Sequence, residues 1–191
     1  IRVLLKDQRF VWYSLSVIVS YGALQAIFFH RIAVFEAGGF AVTAVAGLAA
    51  LSALLGFPGR YGGPLLATRI AATTVSAAAL GALAVAAALM VNPTGVTMVA
   101  HFIIFGLAFG VMLPIRPVIM SDWYSGPTYG RIMGAQWSAA AVGGALGPWL
   151  AGVGKDAAGA YDVPMVAVAV AMASSAVFTL LAARDSSASS R

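Results

Sequence analysis

Between Ile70 and Ile115 the chain runs for 46 residues (70 to 115) without one Asp, Glu, Lys or Arg. That is more than twice the roughly 20 apolar residues a helix needs to cross a bilayer, and water is a poor solvent for such a run. A second uncharged stretch, Ala37 to Leu55, precedes it. Between them lies GFPGRYGGPLLATR, Gly56 to Arg69, whose spacing predicts a short basic hinge. Its two arginines, Arg60 and Arg69, mark the face of the membrane that holds positive loops.

The composition agrees. Of 191 residues 61% are hydrophobic and 9% charged, whereas a soluble domain is about a quarter charged. The chain is an integral membrane protein. Its net charge of +5 is read as topology rather than nucleic-acid binding, because no basic run exceeds one residue and phosphate neutralisation has no dense patch to work with. Without cysteine there is neither a disulfide framework nor a thiolate metal site. The chain opens on Ile1, and Arg2, Lys6, Asp7 and Arg9 precede a span of full length rather than a signal-peptide layout. A piece of something longer is therefore expected.

Six spans are predicted, at about Phe10 to Phe29, Ala37 to Phe57, Ile70 to Val91, Val96 to Trp123, Ile132 to Val153 and Val163 to Ala183. Asn92-Pro93-Thr94-Gly95 breaks the third from the fourth. Residues 1–183 thus form one six-helix bundle, and 184–191, RDSSASSR, a short polar tail expected to be disordered. Six crossings put both termini on one side. That side holds Arg2, Lys6, Arg9, Arg60, Arg69, Arg131, Arg184 and Arg191, against Arg31 and Lys155 opposite. The excess predicts a multi-pass protein of the cell membrane with both ends cytoplasmic. Gly106 with Gly110, and Gly143 with Gly147 and Ala151, recur at four-residue spacing, which suits close helix packing.

The hinge resembles the loop between the second and third helices in each half of a major facilitator superfamily transporter, written GRxxxGxxxDR. Gly59, Arg60 and Arg69 match, while Pro64 replaces the usual glycine and Thr68 the usual aspartate. The acidic half of the cytoplasmic latch found in relatives is thus missing. Pro114 to Gly134, with Asp122, Gly130 and Arg131, looks like the end of the tenth helix and the loop after it. Gly147, Pro148, Gly152, Asp156, Gly159 and Tyr161 look like the GPxxxGxxxDxxGxY exit from the eleventh. His30 with Phe35 resembles the monocarboxylate and oxalate:formate branch. The resemblance covers about Gly56 to Tyr161. It implies an all-α fold of two three-helix inverted repeats, the C-terminal half of such a carrier, moving a small solute by alternating access against an absent N-terminal half. No cofactor, metal or nucleic acid is implied, and the gating loop would comprise Gly59, Arg60, Arg69, Asp122 and Arg131.

Arg116 is the sharpest candidate for contact with a solute. A charge in the fourth span costs about 2.5 to 3.5 kcal/mol at midplane on insertion scales and demands compensation. It either faces a cavity and binds an organic anion such as a monocarboxylate, or snorkels to the surface or pairs with Asp122. Relatives that carry such anions place cations in the eighth and eleventh helices, and those two spans hold none here. Tyr21 and Gln25, four apart in the first span, and Gln136 with Trp137 in the fifth, are polar groups that line a cavity or bond between helices. His30 and His101 are proton-relay or substrate candidates beside the commoner reading of satisfied histidines. Glu36 and Asp156 are read as solvated outer-loop acids.

Other classes fit less well. Asn92-Pro93 resembles the half-helix signature of aquaporins, but no second Asn-Pro occurs. Ser20, Ser52, Ser76 and Ser138 lack a GxSxG context, and there is no HExxH, Walker loop or Rossmann glycine pattern, so no enzyme is predicted. An inactive or truncated half-transporter is the alternative that stays open.

Overall fold

A computed structural model describes residues 6–188, with side chains through Arg184; Arg2, Arg191 and the last three residues of the expected tail lie outside it. It consists of six helices: α1 (Gln8–Ala37), α2 (Val42–Ala67), α3 (Ala72–Ala88), α4 (Gly95–Trp123), α5 (Tyr129–Ala158) and α6 (Asp162–Ala188). No strand occurs among the described residues.

Local chemistry sets the helix ends. The Asp7 side chain accepts the Arg9 backbone N–H to begin α1, and Gly39 takes a left-handed φ of +87° just beyond its end. Asn92 and Pro93 fall in the turn after α3, and a reciprocal pair of bonds between Thr94 and Thr97 caps α4. Gly159, at φ +72°, closes α5.

Four helices, α1, α2, α4 and α6, are long and apolar enough to cross a membrane. Two of the six predicted spans fall short of that standard. The 17 residues of α3 rise about 25 Å at 1.5 Å per residue, less than the ~30 Å hydrocarbon core. The 30 residues of α5 are long enough, but glycines, Gln136, Arg131, Lys155 and Asp156 dilute their hydropathy.

The predicted hinge needs correction. Gly56 to Ala67 is helical, with Pro58 and Pro64 inside α2, and the connection to α3 is confined to residues 68–71. Glycine and proline disfavour helix in isolation, but Gly56, Gly59 and Gly63 are buried against α4. Close packing on that neighbour holds the stretch helical. Helix α1 likewise continues to Ala37, so Arg31 and Glu36 belong to it rather than to a loop, and Asp156 lies in the last turn of α5. Helix α6 runs five residues past the expected end at Ala183, so the first part of the expected tail is helical.

Tight crossings join α2 to α4 and α1 to α5. A Cβ on Gly110 would strike the Gly56 carbonyl, and one on Gly106 the Ser52 carbonyl. On the other side, Gly147 meets the Gly22 carbonyl and Gly143 the Ile18 carbonyl. Any side chain at these four positions would force backbones apart. The remaining main pairs are α1 with α6, α3 with α6 and α3 with α4. Exchanging α1, α2 and α3 with α4, α5 and α6 turns this set of pairs into itself.

Two apolar cores result. One gathers Ile27, Phe35, Leu80, Leu83, Phe102, Phe105 and Met172, and the other Phe10, Tyr13, Ile115, Ile119, Met120 and Ile132. Large apolar side chains remain exposed on α2 (Leu54, Phe57, Tyr61, Leu65) and on α5 (Val142, Trp149, Leu150, Val153).

Candidate functional site

A cavity of about 70 Å³ lies between the two cores, among α1, α3, α4, α5 and α6. Arg116 reaches it from α4 and Trp137 from α5. Tyr13, Ser16, Ser20 and Tyr21 face it from α1, and Ser76 from α3. None of its lining residues is an Asp or Glu.

Arg116 is only 6% exposed. Its Nε donates to Gln136 Oε1 at 2.9 Å, and its guanidinium lies 4.1 Å from the centre of the Trp137 ring. Gln136 Nε2 is 3.4 Å from Ser14 Oγ, which carries the chain of contacts back to α1. The ring of Tyr21 meets Trp137 edge-on at 5.7 Å. One guanidinium nitrogen, Nη2, is buried with no hydrogen-bond partner. Pro114 and Pro117 lie on either side in the same helix, and each lacks the N–H that would otherwise satisfy a carbonyl one turn earlier.

Of the two readings of Arg116, neither the surface nor Asp122 claims it. The side chain is held inside the bundle, while Asp122 is exposed and makes no ion pair among the described residues. Arg116 is thus fixed at one edge by an amide carbonyl and on one face by an indole, with Nη2 left unpartnered.

The hydroxyls around the cavity are largely committed. Ser16 Oγ donates to the Ser175 carbonyl at 2.8 Å and lies 2.8 Å from Thr179 Oγ1, tying α1 to α6. Ser20 bonds back to the Val17 carbonyl.

The other sequence candidates are elsewhere. Gln25 lies along α5 beside Gly144 and does not line the cavity. His30 Nε2 donates to the Pro148 carbonyl at 3.0 Å, so it serves the α1–α5 contact. His101 is fully buried, with Nδ1 donating to the Ala86 carbonyl at 2.8 Å and Nε2 unpartnered. It sits among Phe35, Phe102 and Phe105, fifteen residues and so about 22 Å along α4 from Arg116. Nearby, Arg31 stacks on Phe28, Phe102 and Phe105 at 4.8, 5.6 and 5.3 Å, with Nε and Nη1 unpartnered. No group of three or more metal-ligating side chains occurs among the described residues.

The gating-loop residues do not assemble. Gly59 is buried against Leu107 and Val111. Arg60, Arg69, Asp122 and Arg131 are exposed and form no ion pairs among the described residues, although Arg60 lies over Phe57 at 5.3 Å.

A different polar contact lies at that end. Tyr124 Oη donates to Asp7 Oδ2 at 2.7 Å, and Asp7 Oδ1 accepts from Arg9 Nε at 3.3 Å. Burial pushes the Asp7 carboxyl up, but the Tyr124 hydroxyl and the Arg9 guanidinium and N–H outweigh it, leaving the pKa below 3.8. Burial and the adjacent carboxylate both push the Tyr124 hydroxyl above 10.0.

Neither a scan of protein-family models nor a search of curated proteins finds a match to this chain.

Proposed function

We propose that this chain is one six-helix half of a secondary transporter that carries a small organic anion, such as a monocarboxylate, by alternating access with a partner half. The observation that carries this reading is Arg116, a buried cation that lines a cavity containing no acid and has one guanidinium nitrogen unpartnered. A permanent positive charge held dry without a counter-ion is costly, and an arriving anion would relieve that cost. The cation then acts as the recognition element.

Two further features support the reading. The helix pairing maps onto itself when the first three helices are exchanged with the last three, as two repeats of one three-helix unit would require. Large exposed apolar side chains, which all six helices carry, suit both a bilayer and packing against a second half. All six helices then cross the cell membrane, with the short α3 and the glycine-rich α5 shielded by their neighbours and both termini cytoplasmic.

The test is uptake of labelled lactate and formate into proteoliposomes holding the full-length carrier, with Arg116→Gln and Arg116→Lys as variants. The glutamine variant is expected to lose uptake and the lysine variant to keep part of it. Undiminished uptake by Arg116→Gln would remove the recognition role, and an upstream reading frame without a second six-span segment would remove the two-half carrier.

A further inference from the structure

Two apolar grooves of nearly equal size run along the outside of the bundle. One, about 450 Å³, lies among α1, α5 and α6, and the other, about 470 Å³, among α4, α2 and α3. Exchanging the first three helices with the last three interchanges them. Each opens where a glycine-packed pair leaves the third helix standing off.

Their polar ends differ. At the first, Lys155 follows the lining residue Gly154 and is neutralised by Asp156 at 3.3 Å. At the second, Arg69 stands in the turn between the lining residues Leu66 and Ile70, exposed and without an ion pair among the described residues.

We infer that the groove of α2, α3 and α4 is a binding site for an anionic phospholipid, with its phosphate at Arg69 and one acyl chain along the groove. The inference rests on the membrane setting and not on transport. The length fits. From Leu66 to Pro58 along α2, and from Thr74 to Ala82 along α3, the lining covers eight residues, or about 12 Å. That is close to one leaflet, half of a hydrocarbon core ~30 Å thick. A spanning helix from a partner would need a groove about twice as long. The chemistry fits as well, because the walls are almost wholly apolar and one uncompensated guanidinium stands where the headgroup would lie.

Gly62 supplies a clean test, since a Cβ there meets nothing within 4 Å and a larger side chain fills the groove rather than the protein. Gly47, equally open on the same helix and outside the groove, is the control. The probes are phosphatidylglycerol and phosphatidylcholine with identical acyl chains, added to the full-length protein in detergent and counted as retained lipid by native mass spectrometry.

Wild type and Gly47→Leu are expected to retain phosphatidylglycerol about fivefold over phosphatidylcholine, the preference that one arginine near a headgroup gives. Gly62→Leu is expected to lose both lipids at this site. Arg69→Gln is expected to lose the preference while still holding a chain. Retention by Gly62→Leu equal to wild type, or an unchanged preference in Arg69→Gln, would overturn the site. So would displacement of the lipid by soluble glycerol phosphate, which would mean that the headgroup alone binds.

Discussion

The bundle buries guanidinium groups in two places and treats them differently. Arg31 is packed against three phenylalanine rings with two nitrogens unpartnered and lines none of the cavities described. Arg116 has one bonded edge, one indole-covered face and one unpartnered nitrogen, and it lines a cavity. Aromatic faces alone make a buried cation tolerable, whereas an amide that also fixes its orientation at a cavity is what the proposed recognition role rests on. Arg116 is buried and Arg31 half-buried, but the contrast lies chiefly in their surroundings.

The sharpest way to break this contrast is to neutralise each in turn. Arg116→Gln is expected to lower anion uptake by about ten- to a hundredfold, the loss of one charge-assisted hydrogen bond worth about 1.5 to 3 kcal/mol. Arg31→Gln is expected to leave uptake within about twofold. Equal losses in the two variants would erase the distinction.

Stability should divide the same way, by a smaller amount. Arg116→Met strands the Gln136 carbonyl and is expected to cost about 1 to 3 kcal/mol in thermal or denaturant unfolding. Arg31→Met removes unpartnered donors and is expected to be neutral or to stabilise by about 1 kcal/mol. The stacking partner of Arg116 comes next. Trp137→Leu removes a cation–π contact worth about 0.5 to 2 kcal/mol and is expected to raise KM several-fold with little change in kcat.

The smallest effect lies outside both sites and serves as their control. Tyr124→Phe removes the hydrogen bond to Asp7 without touching either arginine, and is expected to cost less than about 1 kcal/mol. Its signature is in pH. Asp7 titrates below 3.8 when folded, so its contribution is present above that pH and fades as pH falls through the lower folded value. Tyr124 titrates above 10.0 when folded, so its contribution is present below that pH and is lost as pH rises. In the variant both dependences should shrink while uptake stays unchanged.

The helices α1, α2, α4 and α6 were legible because uninterrupted apolar residues leave few alternatives to a membrane span. Their limits were not. Gly56 to Ala67 reads as a hinge by propensity, and only its seat on Gly106, Leu107 and Gly110 keeps it helical, a fact of tertiary packing that no local pattern carries. Arg116 announced itself as a lone charge after a long apolar run. Tyr13 and Ser76, which line the same cavity, gave no signal, because aromatic and small polar residues in an apolar helix look like ordinary packing. Gln25 shares a helical face with Tyr21 and both lie against Gly144, yet only Tyr21 reaches the cavity, since four-residue spacing fixes a face and not a rotamer. Arg31 was counted only as a topology charge beyond the first span, because that helix runs eight residues past the predicted end at Phe29.

Where Gly110 rests on Gly56 and Gly147 on Gly22, backbone touches backbone with no side chain between. Such joints resist sliding, since any axial shift would drive a neighbouring Cβ into a carbonyl. Each crossed pair is therefore expected to travel as a single beam, with any bending taken up at the seams where α3 and α6 adjoin them.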